Sequence, residues 1–96
     1  MLTRTARIGG LRLVATPVPA GSELVRVHVG DDPNYDRMIV VTPEDEARVL
    51  HLMGWIGDPL SIPWIGARDA LFPSAETVRF ERLRGGAFVR RVLRLG

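Results

Sequence analysis

The chain has 96 residues, of which 46% are hydrophobic and 25% are charged, and its formal net charge is +2. This balance is typical of one globular domain, residues 1–96, and argues against disorder. Because the sequence contains no cysteine, it excludes a disulfide framework and a thiolate zinc site. No apolar run is long enough to span a bilayer and the first seven residues lack the apolar core of a signal peptide. We therefore expect no membrane partner, and a location in the cytoplasm or in a virion-type particle assembled there.

The basic residues, all 13 of which are arginines, are concentrated towards the two ends of the chain. Residues 1–12 hold three arginines and no acid, a net charge of +3. Residues 77–96 hold six arginines and one acid, a net charge of +5, whereas residues 13–76 hold four arginines and ten acids, a net charge of −6. Basic ends around an acidic centre indicate either an anionic partner or a subunit that is complementary to its own neighbour.

A β-hairpin is predicted at residues 2–16, because Gly9-Gly10 can supply the positive φ angles of a two-residue turn. The turn implies a register that pairs Ile8 with Leu11 and Ala6 with Leu13. It also sets Arg7 opposite Arg12, which is mildly unfavourable unless an anionic group covers them, the side chains splay into solvent or the register differs. Two central strands are predicted next, at 23–30 and 38–41.

An amphipathic helix is predicted at about residues 43–53. Thr42 is a good N-cap and Pro43 occupies the first helical position, where its missing N–H costs nothing. Three acids then favour the positive end of the helix dipole. The buried stripe of this helix consists of Ala47, Val49, Leu50, Leu52 and Met53. Gly54 is placed to end it.

The C-terminal segment fits two structures. Strands at 77–84 and 87–95 around Gly85-Gly86 would form a second hairpin that pairs Glu81 with Arg90, Leu83 with Phe88 and Val78 with Leu93. Residues 88–95 also separate on a helical wheel into an apolar arc and an arginine arc. We favour the hairpin. The fold class that follows is α+β: a small, mostly antiparallel sheet of two Gly-Gly hairpins and central strands, with the helix at 43–53 packed on one face.

The segment 54–66 contains the tripeptide Trp-Ile-Gly twice and both tryptophans of the chain. Pro59 and Pro63 lie between the tryptophans and rule out an uninterrupted helix or central strand, so we expect an apolar loop. Two interpretations stay open for it: a plug on the core, or an interface, where tryptophan is enriched. The candidate partner-binding residues are Trp55, Ile56, Leu60, Ile62, Trp64 and Ile65.

Little in the sequence points to catalysis. The only histidines are His28 and His51, and no nucleophile, zinc or phosphate-binding motif is present. The run that starts at Asp32 has oxygen ligands at alternate positions, like a calcium loop, but its sixth residue is Arg37 and its twelfth is Pro43. We therefore expect no enzyme activity, no catalytic residues, no metal and no cofactor.

The arginine-rich ends point to a second kind of partner. If the terminal hairpins lay side by side, they would form a basic face able to bind phosphates, with affinity that falls with salt. The candidate residues for anion or partner electrostatics are Arg7, Arg12, Arg79, Arg82, Arg84, Arg90, Arg91 and Arg94. Aromatic residues for base stacking are scarce beside them, and no recognition helix is visible.

The sequence thus predicts a non-catalytic structural or adaptor subunit that docks into a larger protein assembly, of the kind found as accessory proteins in phage particles. Docking would use the Trp/Pro-rich apolar loop and complementary acidic and basic surfaces, with a protein partner or a homo-oligomer. The alternative is a small nucleic-acid-binding or regulatory module that uses the arginine-rich terminal hairpins.

Overall fold

The structure, a computed structural model, describes residues 4–15 and 17–96, and within them it is a small α+β fold of two sheets and one α-helix. The predicted fold class is confirmed. The elements are β1 (Arg4–Ile8), β2 (Leu11–Ala15), β3 (Glu23–His28), β4 (Tyr35–Glu44), β5 (Val49–Ile56), a 3-10 turn (Pro59–Ser61), α1 (Trp64–Leu71), β6 (Thr77–Arg84) and β7 (Ala87–Arg94). Leu2, Thr3 and Thr16 of the predicted first hairpin lie outside the described residues.

The first hairpin forms a two-stranded sheet of its own, and its predicted register is confirmed. β1 pairs antiparallel with β2 so that Ile8 lies opposite Leu11 and Arg7 lies opposite Arg12. Gly9 opens the turn with a φ of 58°, a left-handed value that glycine adopts without steric cost. We call this hairpin, residues 4–15, the arm.

The second sheet has five strands in the order β3-β4-β5-β6-β7. Neighbours run antiparallel, except that β5 and β6 are parallel over 49–51 and 77–79. A parallel pair needs a crossover connection, and residues 57–76, with the 3-10 turn and α1, supply it. The crossover covers one face of the sheet. We call the opposite face the open face.

The hydrophobic core lies between the crossover and the covered face of the sheet. Alternate residues of the central strands point into it, among them Ile39, Leu50 and Phe80, each at most 1% exposed. The crossover contributes Trp64 and Phe72 from the other side. One small core must therefore stabilise the whole five-stranded sheet.

The predicted helix at 43–53 is wrong, because these residues form the end of β4, a tight turn and most of β5. Three consecutive residues of the turn have left-handed backbones: Asp45 at φ 52°, Glu46 at φ 56° and Ala47 at φ 66°. The Arg48 backbone N–H closes the turn by donating to the Asp45 carbonyl at 3.1 Å.

Tertiary packing explains why the strand forms in place of the helix. Leu50 and Leu52, two residues apart, both point into the core, whereas His51 points to the open face. β5 is hydrogen-bonded to β4 on one side and to β6 on the other, and this non-local pairing outweighs a weak local helix propensity. The expected N-cap, Thr42, lies in β4 and hydrogen-bonds Ser22 through the two hydroxyls at 2.8 Å.

The segment 54–66 is largely regular structure, so the expectation of an apolar loop is wrong as well. Trp55 lies in β5, and Trp64 is the first residue of α1. Pro59 begins the 3-10 turn, which Asp58 caps by accepting from the Leu60 backbone N–H at 2.9 Å. The prolines break the segment into short elements rather than leaving it irregular.

The second hairpin is confirmed with its predicted pairs. Glu81 lies opposite Arg90, Leu83 opposite Phe88 and Val78 opposite Leu93. Gly85 and Gly86 have φ angles of 56° and 82°, both positive, as the favoured two-residue hairpin turn requires. Residues 87–94 are therefore a strand and not a helix.

Candidate interaction surfaces

β7 forms one edge of the five-stranded sheet and is almost completely exposed along its eight residues. Phe88 is 77% exposed, and Leu83, opposite it on β6, is exposed as well. Edge strands present unpaired backbone N–H and C=O groups, and natural proteins usually keep them short, charged or covered. A long edge with exposed apolar side chains is therefore a candidate surface for association.

Arginines supply the charge of this edge. Arg90 and Arg94 point to the open face, as Phe88 does, and Arg91 points to the covered face, because side chains alternate along a strand. Arg84 is exposed beside the hairpin turn. Arg90 has one acidic neighbour, with its Nε 3.9 Å from Oε1 of Glu81. We call β7 with these arginines the basic edge.

β3 forms the other edge of the sheet and carries acidic residues. Glu23 begins the strand, and Asp31 and Asp32 lie in the loop that follows it, all three exposed. His28 Nδ1 fixes this loop by hydrogen bonding to the backbone carbonyls of Asp32 at 3.1 Å and Asn34 at 3.0 Å. We call β3 with Glu23, Asp31 and Asp32 the acidic edge. Arg26, also exposed on β3, leaves the acidic edge with three acids and one arginine, a net charge of −2, opposite in sign to the four arginines of the basic edge.

The arm is a third exposed surface. All five residues of β1 are exposed, and the turn presents Ile8 at 62% and Leu11 at 67% exposure. Arg7 and Arg12 are exposed as well. An isolated two-stranded hairpin is only marginally stable in water, because it has no third strand or helix to pack against.

The six partner-binding candidates of the Trp segment are divided between core and surface. Trp64 is 4% exposed, its indole Nε1–H donates to the Pro59 carbonyl at 2.8 Å, and Ile62 is buried beside it. Trp55 is half-buried and packs edge to face on Phe80, with ring centroids 5.3 Å apart. The exposed members are Ile56, Leu60 and Ile65. Both tryptophans belong to the core, and partner binding by this segment stays a prediction.

The arginine candidates do not share one face of one sheet, because the arm is a sheet of its own and, on β7, Arg91 points to the covered face while Arg90 points to the open face. Arg79 Nη2 donates to both carboxylate oxygens of Glu44, at 3.1 and 3.0 Å. Arg82 Nη2 lies 3.8 Å from an Asp58 carboxylate oxygen. The remaining candidates are exposed, on the arm (Arg7, Arg12) or on the C-terminal hairpin (Arg84, Arg90, Arg91, Arg94).

An ion-pair cluster on the open face joins β4, β5 and β6. His51 Nε2 hydrogen-bonds Glu81 Oε2 at 2.8 Å, and Nδ1 lies 3.2 Å from Glu44 Oε1. The hydrogen bond from His51 lowers the pKa of Glu81. The sequence does not predict this cluster, because its members come from three strands and His51 and Glu81 are 30 residues apart. No sequence spacing signals such a pairing.

A cavity of about 390 Å³ lies beside this cluster, where β5 and β6 diverge beyond their short parallel pairing. Trp55, Phe88, His51 and Glu81 are among its lining residues. Both ring nitrogens of His51 face carboxylate oxygens, those of Glu44 on β4 and Glu81 on β6, so His51 ties three strands together beside this cavity.

Among residues 4–15 and 17–96, no group of three or more His, Asp or Glu side chains is arranged to hold a metal ion. The helix in this part of the chain is too short to cross a membrane. Comparisons with protein families, with curated proteins and with solved structures found no match to this chain. The function must therefore be argued from the geometry of the surfaces described above.

Proposed function

We propose that this protein is a non-catalytic structural subunit that docks into a larger protein assembly, in the cytoplasm or in a virion-type particle built there. One observation carries the proposal: the arm forms a two-stranded sheet apart from the five-stranded sheet, and all five residues of β1 are exposed, as are Leu11 and Arg12 on β2. Its apolar turn and its arginines both face outwards.

Three energetic terms work against an arm that stands alone. Ordering the backbone costs about 1–2 kcal/mol per residue, an isolated hairpin buries little to offset this, and Arg7 repels Arg12 directly across the strands. A partner surface that is apolar under Ile8 and Leu11 and acidic under the arginines would bury apolar area that offsets the ordering cost, and would replace the repulsion between the arginines with attraction. Docking into an assembly supplies such a surface.

The test compares one double change in the arm with one single change elsewhere, all at similarly exposed apolar residues. Ile8→Asn with Leu11→Asn removes the apolar turn of the arm, and Val29→Asn, at a residue 69% exposed in another loop, is the matched control. Each protein is tagged and recovered from the native source, and the retained mass is measured. We expect the wild type and Val29→Asn to retain a partner, and the arm variant to lose at least about tenfold in affinity.

Equal retention by the arm variant would contradict docking through the arm. A wild-type protein that retains no partner and stays monomeric would contradict the assembly function itself. Amide hydrogen exchange adds an independent measurement, since arm amides should exchange rapidly in the free protein and slowly in the complex.

Exposed arginines on the C-terminal hairpin support a second candidate, binding of nucleic acid. Arg84, Arg91 and Arg94 are exposed and carry positive charge along one edge. Contacts with about four phosphates would give log K a slope of about −3 to −4 against log salt concentration. Arg90→Glu with Arg91→Glu should abolish retention on a polyanion column, whereas Arg26→Glu, an exposed arginine on β3, should retain most of it. Unchanged retention of the double variant on the polyanion column would contradict nucleic-acid binding.

A further inference from the structure

The two edges of the five-stranded sheet are both open and carry opposite charge. Among the described residues, no strand pairs with the outer side of β3 or of β7. We propose that β7 of one copy pairs antiparallel with β3 of a second copy, so that the sheet continues from one protein into the next. This inference rests on the proposed assembly function and names the first partner in it, a second copy of the chain.

Charge selects this pairing over the symmetric alternative. If β7 paired with β7 of another copy, the arginines of two basic edges would be brought together. Like charges across neighbouring strands are destabilising, and opposite charges are stabilising. The acidic edge offers Glu23 at the start of β3 and two aspartates in the loop after its end. When Glu23 is set opposite Arg91, Arg26 of β3 falls opposite Phe88 and not opposite an arginine, so the net charges of the two edges remain complementary.

The direction of the strands also fits. One parallel pair, β5 with β6, stands among three antiparallel pairs, so β3 and β7 run in opposite directions. A second copy in the same orientation therefore meets β7 with an antiparallel β3. Val25 and Val27 lie on the covered face, as do Val89 and Leu93, so apolar residues of the two copies meet on the same face of the joined sheet.

A register follows from pairing the charges. Setting Arg91 opposite Glu23 also sets Val89 opposite Val25, because the sequence positions of antiparallel partners have a constant sum. Both pairs fall on the covered face, since Arg91 lies beside Phe80 and Glu23 lies beside Val41 within each copy. The same register brings the Gly85-Gly86 turn, and Arg84 with it, next to the loop of Asp31 and Asp32.

The pairing is head to tail, since different edges meet. Each added copy leaves one acidic and one basic edge free, so the assembly either closes into a ring or grows as a filament. An exposed edge strand as long as β7 is protected from indiscriminate pairing when its partner is specified in this way.

The experiment measures the mass of the purified full chain by sedimentation and light scattering over a series of concentrations. We expect wild-type mass to rise above that of the 10.6 kDa monomer. Glu23→Arg and Arg91→Glu should each weaken self-association about tenfold, and the charge-exchanged double variant should recover most of the loss. Glu46→Arg, the same charge reversal at an exposed residue of the β4–β5 turn and away from both edges, is the matched control and should leave the mass unchanged.

A wild type that stays monomeric at every concentration would overturn the proposal, and so would a double variant that fails to recover. Both substituted residues are exposed, and circular dichroism of each variant checks that the fold is retained. The outcome separates this inference from the function on which it rests. A monomer that still retains a native partner through the arm overturns the strand pairing alone.

Discussion

Glu46 lies at the centre of the β4–β5 turn and has a φ of 56°, between two neighbours that are also left-handed. Its side chain is exposed, so a substitution there acts mainly through the backbone. We predict that Glu46→Gly is more stable than Glu46→Ala. The two variants remove the same carboxylate and differ only by one methyl group, which makes the comparison specific for backbone conformation.

The difference in the free energy of unfolding between the two variants follows from two opposing terms. A left-handed backbone costs an L-residue about 1–2 kcal/mol, because Cβ approaches the following carbonyl, and glycine avoids this cost. Glycine loses about 0.5–1 kcal/mol more conformational entropy on folding than alanine does. The net advantage of glycine is therefore about 0.5–1 kcal/mol, which corresponds to about 2–8 °C in melting temperature for a domain of this size.

The assay is urea unfolding of both variants at neutral pH, with the melting temperature as a second measurement. Ala70→Gly in α1 is the control, since the same exchange at an exposed helical residue should lose up to about 1 kcal/mol. If Glu46→Gly were less stable than Glu46→Ala by about that amount, residue 46 would not have a left-handed backbone and the reasoning would be refuted.

Two further predictions concern the core and the ion-pair cluster. Trp64→Phe leaves the buried Pro59 carbonyl without its donor and should lower the free energy of unfolding, measured in urea, by about 2–4 kcal/mol. The control, Trp55→Phe at a half-buried residue, should lower it by less than about 1.5 kcal/mol, and equal losses would contradict the prediction. The hydrogen bond from His51 lowers the pKa of Glu81 in the folded protein. The Glu81 carboxylate therefore stabilises the fold above its ordinary pKa of 4.5, and this stabilisation is lost as the pH falls through the lowered pKa. Glu81→Gln should therefore be about 1 kcal/mol less stable than wild type at neutral pH and nearly equal to it in acid below the lowered pKa; the same deficit in both conditions would show that the charge is not responsible.

Both hairpins were predictable with their registers because the information that specifies them is local. A Gly-Gly pair can adopt two positive φ angles, and this turn sets which residues lie opposite each other. Glu81 and Arg90 are nine residues apart in sequence and face each other across the turn. A hairpin and its register can therefore be predicted from sequence where the turn residues and the cross-strand pairs agree.

The prediction of a helix at 43–53 is wrong for the opposite reason: the interactions that decide the structure of these residues are not local. Its cap and its acids are local signals, worth about 1 kcal/mol or less each. The strand that replaces it is stabilised by β6, whose residues follow almost 30 positions later, and by burial of Leu50 and Leu52. Leucines at this spacing of two already fitted a strand, but the apolar residues around them fitted a helical stripe equally well.

The repeated Trp-Ile-Gly shows that a sequence repeat need not be a structural repeat. Trp55 reaches the core from β5, where the pairing with β4 shifts between Val40 and Val41 and so changes which residues face inwards. Trp64 reaches the same core from the first turn of α1. The bulge depends on a partner strand, so neither position could be derived from the segment alone.

The charge asymmetry was visible in the sequence, but its meaning depends on strand order. The sheet places Glu23 of β3, with the aspartates of the following loop, at one edge and the arginines of β7 at the other, and this separation supports both self-association and binding of a polyanion. Salt weakens both, so salt dependence alone does not separate them. A change at Glu23 does separate self-association from polyanion binding. Glu23→Arg removes the acid that β7 would meet, yet it makes the protein more basic. Weaker self-association together with stronger polyanion retention in that one variant would assign the acidic edge to a second copy of the chain.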